Sequence, residues 1–288
     1  MSASSTAPSS LAAFDSSIAV IGGGNMAEAL IGGLLRRGLP LQRLTVAEPD
    51  AGKRAELAAR FGIAGHADNA AAAQSAAIWV LAVKPQVLRA VCKELAPLAL
   101  TQRPLLISIA AGIRTPQIAH WLGAALPLVR AMPNTPALLG AGASGLYADA
   151  AVDGAGRARA EAILGALGVG CWVEDEAQMD IVTALSGSGP AYFFLLTEAL
   201  QRAAQAQGLP AASARLLATH TALGAGRMLV EDGADAATLR ARVTSPGGTT
   251  AAALQAYAAG GFEALVAQAL AAASARGAEL AAQAADAS

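Results

Sequence analysis

Cysteine is scarce: the 288 residues hold two, Cys92 and Cys171. Two cysteines so far apart make neither a metal-ligand spacing nor a disulfide framework. A reducing cytoplasm is therefore the expected compartment. Aromatic residues make up 4% of the chain, too few for an aromatic-rich β-sandwich. The core is expected from Ala, Val, Leu and Ile, in closely packed helices and parallel strands. Charge is also sparse, at 14%, with a formal net charge of −1. Without a basic excess, neither nucleic acid nor an anionic membrane surface is an expected partner. So little surface charge predicts that association between subunits removes surface from water.

Long apolar runs are missing too. The uncharged stretches 131–148 and 181–197 are broken by Gly and Pro and do not read as membrane spans. The first 16 residues, Met1 to Ser16, are small and polar and lack Lys and Arg. That pattern excludes a signal peptide and reads as a disordered tail. His66, His120 and His220 belong to no recognisable constellation, and no paired carboxylates or metal-ligand cluster stand out. No metal is expected.

What is present falls into two halves, as the length suits. Short apolar runs at 17–21, 44–47, 77–83, 105–109 and 126–130 alternate with helical patterns at 26–37, 50–60, 86–95 and 116–122. This alternation predicts βαβ units and a parallel sheet covered by helices. A helix at 156–167 and a last strand at 169–173 can follow. From about Asp175 the pattern becomes helical: 190–207, 211–230, 236–242, a further helix, then a C-terminal one from Phe262. Gly208-Leu209-Pro210 reads as a stop and restart. The expected class is α/β: a Rossmann-type parallel-sheet domain at 17–175, then an all-helical domain at 176–288.

The first strand ends in Gly22-Gly23-Gly24-Asn25-Met26-Ala27, a G-x-G-x-x-A pattern between strand and helix. Gly22 allows the tight turn, Gly24 lets backbone approach a pyrophosphate, and Ala27 lets the helix pack on the sheet. A dinucleotide is the expected ligand. Glu48, at the end of the second strand, can accept hydrogen bonds from the adenosine ribose of NAD and would repel the extra phosphate of NADP. Lys53 and Arg54 can reach that phosphate or stand as solvated charges. Small residues at two further strand ends, Ala82-Val83-Lys84-Pro85 and Ile109-Ala110-Ala111, leave room for ribose and nicotinamide. Lys84 reads either as an acid or as a phosphate or backbone contact.

The chain lacks a usual dehydrogenase acid, which suits a substrate that already carries its proton, such as an iminium ion. Residues 236–262 contain no Asp or Glu, while Arg240 and Arg242 supply positive charge. Pro246-Gly247-Gly248 can expose successive amides at a helix start, an anion-binding geometry suited to a small carboxylate. Ser245, Thr249 and Thr250 add hydroxyls; one of these can hold an imine nitrogen. An ordinary turn with a Ser/Thr cap is the other reading. Ser186-Gly187-Ser188-Gly189-Pro190 opens the first long helix, either as a plain helix start or near the substrate.

Several segments together resemble pyrroline-5-carboxylate reductase. They are Ile21–Met26, Ala82–Gln86, Ser108–Gly112, Arg130-Ala131-Met132-Pro133-Asn134-Thr135-Pro136, Ser186–Tyr192 and Val243–Thr250. The last is the family signature. The resemblance implies reduction of 1-pyrroline-5-carboxylate to L-proline with NADPH or NADH. It also implies a homodimer through the helical domain, commonly built further into a decamer of five dimers. It assigns Ile21, Gly22, Gly23, Gly24, Asn25 and Met26 to the pyrophosphate loop, and Glu48 and Asn69 to the adenosine end. Ala82, Val83, Lys84, Pro85, Ile109, Ala110 and Ala111 would line the cofactor. Substrate contacts fall on Ser245, Gly247, Gly248, Thr249 and Thr250, with Thr250 at the ring nitrogen. NADP(H) is the cofactor the family favours, while Glu48 stands where NADPH-preferring members often carry Ser or Thr, which admits NAD(H). Two other readings compete. A β-hydroxyacid dehydrogenase would need a helical-domain lysine, which 176–288 lacks. A non-catalytic dinucleotide sensor could lose the substrate loop, which here is complete.

Overall fold

A computed structural model describes residues 10–286, with side chains to residue 283. The chain divides into two compact units, residues 188–272 and the remainder.

The larger unit is built on eight strands. They are β1 (Ile18–Ile21), β2 (Leu44–Ala47), β3 (Ala64–His66), β4 (Ile78–Leu81), β5 (Leu105–Ser108), β6 (Leu128–Met132), β7 (Gly142–Ala148) and β8 (Gly168–Trp172). Their order is β3-β2-β1-β4-β5-β6-β7-β8. All neighbours are parallel except β6 and β7. β1, β4 and β5 are buried at every residue. Covered on both faces, they are apolar apart from Ser108 at the end of β5. Successive side chains still alternate: Ile18 and Val20 enter one core, Ala19 and Ile21 the other.

Six helices are numbered here: α1 (Asn25–Arg36), α2 (Ala51–Phe61), α3 (Asn69–Ala73), α4 (Pro85–Gln102), α5 (Thr115–Leu122) and α6 (Gly154–Leu164). Leu30, Ile31 and Leu34 of α1 pack with Ile163 and Leu164 of α6 in the first core. Leu88, Cys92 and Leu95 of α4 meet Ile118 and Trp121 of α5 in the second. α4 continues past Leu95, where the sequence pattern ended, and carries Pro97 within it.

β7 and β3 are strands that the sequence pattern does not announce. In β7 the glycines serve close packing: a Cβ on Gly145 would lie 2.4 Å from Val182 Cγ1, and one on Gly142 2.6 Å from the Leu167 carbonyl oxygen. The amino-terminal segment differs from the expected tail. Residues 1–9 lie outside the described residues. Beyond them, Leu11 is buried and donates its N–H to the Arg37 carbonyl at 2.7 Å, and Phe14 packs on the same core. These two apolar side chains supply the anchor that the polar composition hid.

Arg130 of β6 is 2% exposed, and it is the one cation among the largest fully buried side chains. Two carboxylates neutralise it. Glu176 lies 3.3 Å away, and Asp180, in α7 (Gln178–Val182), lies 3.9 Å away. Glu176 also accepts from the Thr115 N–H at 2.8 Å and the Thr115 hydroxyl at 2.9 Å, and Asp180 pairs with Arg114 at 3.3 Å. This network draws residues 176–187, ending in a π-helical turn at Thr183–Gly187, onto the sheet.

The smaller unit contains only helices: α8 (Gly189–Ala206), α9 (Ala211–Glu231), α10 (Ala236–Arg242), α11 (Thr249–Ala259) and the first part of α12 (Phe262–Asp286). α8 and α9 pack together, joined through Gly208 at φ +98° and Pro210. Much of the apolar surface here faces outward, with Phe193, Phe194, Leu216, Val230 and Leu265 all exposed.

Two outcomes are expected. Arg130→Ala leaves Glu176 and Asp180 with Arg114 as the remaining cation of the network and should destabilise the fold by about 3–5 kcal/mol in chemical denaturation; a loss below about 1 kcal/mol would remove the network from the fold's support. Burial pushes the Cys92 thiol up to about 12, whereas Cys171 is exposed. Ellman's reagent should therefore label Cys171 alone in the native protein and both thiols in denaturant.

Candidate functional site

In an open parallel sheet, ligands gather at the carboxyl ends of the strands, where the strand order reverses. Here the reversal falls between β1 and β4. Both strands stay paired to their last residue: the Ala82 N–H donates to the Ile21 carbonyl at 2.8 Å, and the Ile109 N–H to the Leu81 carbonyl at 3.1 Å. The chain must then turn sharply. Gly22 does so at φ +105°, and a Cβ there would lie 2.9 Å from both the Ala82 carbonyl oxygen and Val83 Cγ1. Gly22 thus lies directly against the Ala82–Val83 segment.

Gly24 is the N-cap of α1 and offers no side-chain cap to the first amides. The N–H groups of Asn25 and Met26 open the helix there, with positive dipole behind them. A Cβ on Gly24 would meet nothing within 4 Å. That open face suits a pyrophosphate, so the loop fits the group its pattern implies. Lys84 is exposed at the N-cap of α4, with Pro85 at the first helical position. Ile109, Ala110 and Ala111 follow β5 at the same sheet edge.

Glu48 follows β2, and its side chain turns inward. One carboxylate oxygen accepts the Gly23 N–H at 3.0 Å, and the other accepts the Asp50 N–H at 2.9 Å. The residue is 8% exposed. Arg54 of α2 donates through Nη1 to the carbonyls of Glu48, at 2.8 Å, and Pro49, at 2.9 Å. Lys53 is exposed. Asn69 opens α3 and donates to Glu94 of α4 at 2.9 Å. The structure therefore gathers the expected cofactor residues along one edge of the sheet.

The expected substrate residues lie in the helical unit, on the turn before α11. Gly247 takes φ +71°, and the Gly248 N–H closes the turn onto the Ser245 carbonyl at 3.0 Å. Gly248 caps α11 in extended backbone without a side-chain cap, so Thr249 and Thr250 open that helix. Ser245, Gly247 and Thr249 are exposed, and Gly248 and Thr250 half-buried. Among the described residues, no group of three or more His, Cys, Asp or Glu could hold a metal ion.

Asn134 is the residue that sequence reasoning passed over. It is buried, its amide donates to the Ser186 carbonyl at 3.0 Å, and its oxygen accepts the Ala143 N–H at 3.0 Å. It therefore ties the π-helical turn to β7. The sequence carried a signal, since Asn134 sits in the conspicuous Met-Pro-Asn-Thr-Pro segment. The arginine ending the 126–130 run was a like signal for the buried ion pairs.

Comparison with known proteins agrees with this architecture. A family model described as pyrroline-5-carboxylate reductase dimerisation matches residues 176–280. One described as NADP oxidoreductase, coenzyme F420-dependent, matches residues 17–112. A pyrroline-5-carboxylate reductase of Pseudomonas aeruginosa is 52% identical, over 92% of this chain and 97% of its own length. The structure of the Coxiella burnetii enzyme of that name superposes with a TM-score of 0.89 at 44% identity, covering 92% of this chain and 98% of its own. The Plasmodium falciparum pyrroline carboxylate reductase, solved with NADP bound, superposes at 0.80 with 27% identity, over 93% and 98% of the two chains. With a glycine loop at the sheet's reversal point, an uncapped Gly-Gly-Thr-Thr helix start and relatives this similar over nearly their whole length, the chain belongs to the pyrroline-5-carboxylate reductase family.

Proposed function

We propose that this protein reduces 1-pyrroline-5-carboxylate to L-proline with NADP(H), the closing step of proline synthesis, in the cytoplasm. The observation that carries the reading is the Ser245–Thr250 turn, complete and uncapped at the start of α11. Its Gly247, Gly248 and Thr249 amides suit the substrate carboxylate, because successive N–H groups at a helix start favour an anion. The Thr250 hydroxyl would hold the ring nitrogen. When bound, the cofactor supplies the hydride for the imine carbon. The chain's own contribution is then to orient and desolvate, which lowers a barrier without a strong acid. NADP(H) is favoured by the family and by the NADP-bound Plasmodium relative. The expected division, 17–175 for the dinucleotide and 176–288 for dimerisation and substrate, draws support from the two matched regions.

We also propose a homodimer formed through the helical unit. Its groove, about 800 Å³ and lined by Leu196, Leu254, Tyr257 and Phe262, is apolar. The helical stretch Gln178–Ala206 is long and apolar enough to cross a membrane by composition alone. Pairing of such faces between copies accounts for the apolar surface without a membrane. A decamer of five dimers is the further assembly that the family implies, and light scattering distinguishes two chains from ten.

Three measurements test the reading. NADPH absorbance should fall when 1-pyrroline-5-carboxylate is added, with proline as product; no oxidation of NADPH or NADH by a folded, cofactor-binding protein would sink it. Thr250→Ala should lower kcat by about a hundredfold while NADPH binding stays within about twofold. An unchanged kcat at saturating substrate would take Thr250 out of the chemistry. Gly22→Ala, strained at positive φ and crowded by Ala82, should lower thermal stability by several degrees, whereas Gly24→Ala should leave it nearly intact and still weaken NADPH about tenfold or more. Equal NADPH affinity in Gly24→Ala and wild type would contradict the phosphate-loop reading.

A further inference from the structure

The carboxylate expected to clasp the adenosine ribose is buried against the glycine loop. A ribose clasp needs an exposed carboxylate facing the ligand. Glu48 is 8% exposed, and each of its oxygens already accepts a backbone N–H. One of those amides, Gly23, is in the glycine loop itself, 25 residues earlier in the chain. A carboxylate–amide bond is charge-assisted and among the stronger hydrogen bonds. Buried, it fixes the Gly23 peptide and hence the path of the chain into Gly24, Asn25 and Met26.

Gly23 occupies a position that the G-x-G-x-x-A pattern leaves free. The structure supplies the reason for a glycine there. A Cβ on Gly23 would lie 2.9 Å from Glu48 Oε2 and 2.8 Å from Leu57 Cδ1. Any larger residue would push the carboxylate off its amide. Arg54 adds a cation to the same corner by donating to the Glu48 carbonyl. The negative charge of Glu48 is thus turned into the glycine loop.

We propose that Glu48 is a positioning residue, which holds the glycine loop in its phosphate-receiving shape and does not select NADH over NADPH. The inference rests on the loop's being the dinucleotide site proposed above. Glu48→Ala frees two buried amides and loosens the loop beneath the pyrophosphate, which both cofactors share. Glu48→Gln keeps an acceptor oxygen for Gly23, removes the charge and gives up the acceptor for the Asp50 N–H.

The test is titration of NADPH and NADH, followed by nicotinamide fluorescence, into wild type, Glu48→Ala and Glu48→Gln. Glu48→Ala should raise both dissociation constants about tenfold, with their ratio held within about twofold. Glu48→Gln should recover most of the loss for both. A Glu48→Gln protein whose preference moves about fivefold or more toward NADPH would overturn the proposal, because the carboxylate charge would then be read by the ligand. A loss confined to NADH in Glu48→Ala would overturn it too. Should Glu48→Ala fail to fold, the ratio in Glu48→Gln decides alone. Failure of wild type to bind either dinucleotide would instead remove the site itself, an outcome distinct from a changed ratio.

Discussion

The site depends on one close approach, the backbone of Gly22 against Ala82 and Val83. β1 lies between β2 and β4; the chain leaving β1 runs through α1 to β2 and the chain leaving β4 runs through α4 to β5, on opposite faces of the sheet. A crevice opens there only if both loops rise from strands that remain paired to their ends. Pairing that persists to Ile21 and Leu81 brings the two loops within van der Waals distance. A residue with a side chain at position 22 would wedge them apart. The cofactor edge is therefore set by backbone, and its side chains refine it.

A second constraint works from within the sheet. Arg130 places a charge in β6 where desolvation is expensive, and Glu176 and Asp180 offset that cost. Apolar residues could fill the same space at no loss of stability. What ion pairs add is direction, since guanidinium and carboxylates meet in few geometries. They thereby specify where the chain after β8 returns to the sheet. Asn134 repeats the device at smaller scale, joining Ser186 and Ala143 through one amide.

Much of this was legible in the residues. Strands covered on both faces read as near-continuous apolar runs, so β1, β4 and β5 declared themselves, and the glycine loop followed from its place after β1. The helical half declared itself through Gly208 and Pro210. β7 did not, because Gly142 and Gly145 serve neighbours distant in sequence rather than the strand. Leu11 was lost in a polar tail. Glu48 was recognised as a residue of the cofactor edge, but its direction was not. That direction depends on where Gly23 sits in space, and spacing along the chain carries no such information.

The helices of the smaller unit leave Phe193, Phe194 and Val230 in water. Under the proposed pairing, part of what stabilises these helices is supplied by another molecule, and so varies with how many are present. Each tenfold dilution removes about 1.4 kcal/mol of that support. The sheet unit carries its own two cores and suffers no such loss. A freshly made chain would thus complete one half alone and wait on a second chain for the other. The amount of this protein then governs the soundness of each copy, and scarcity itself becomes a form of denaturant.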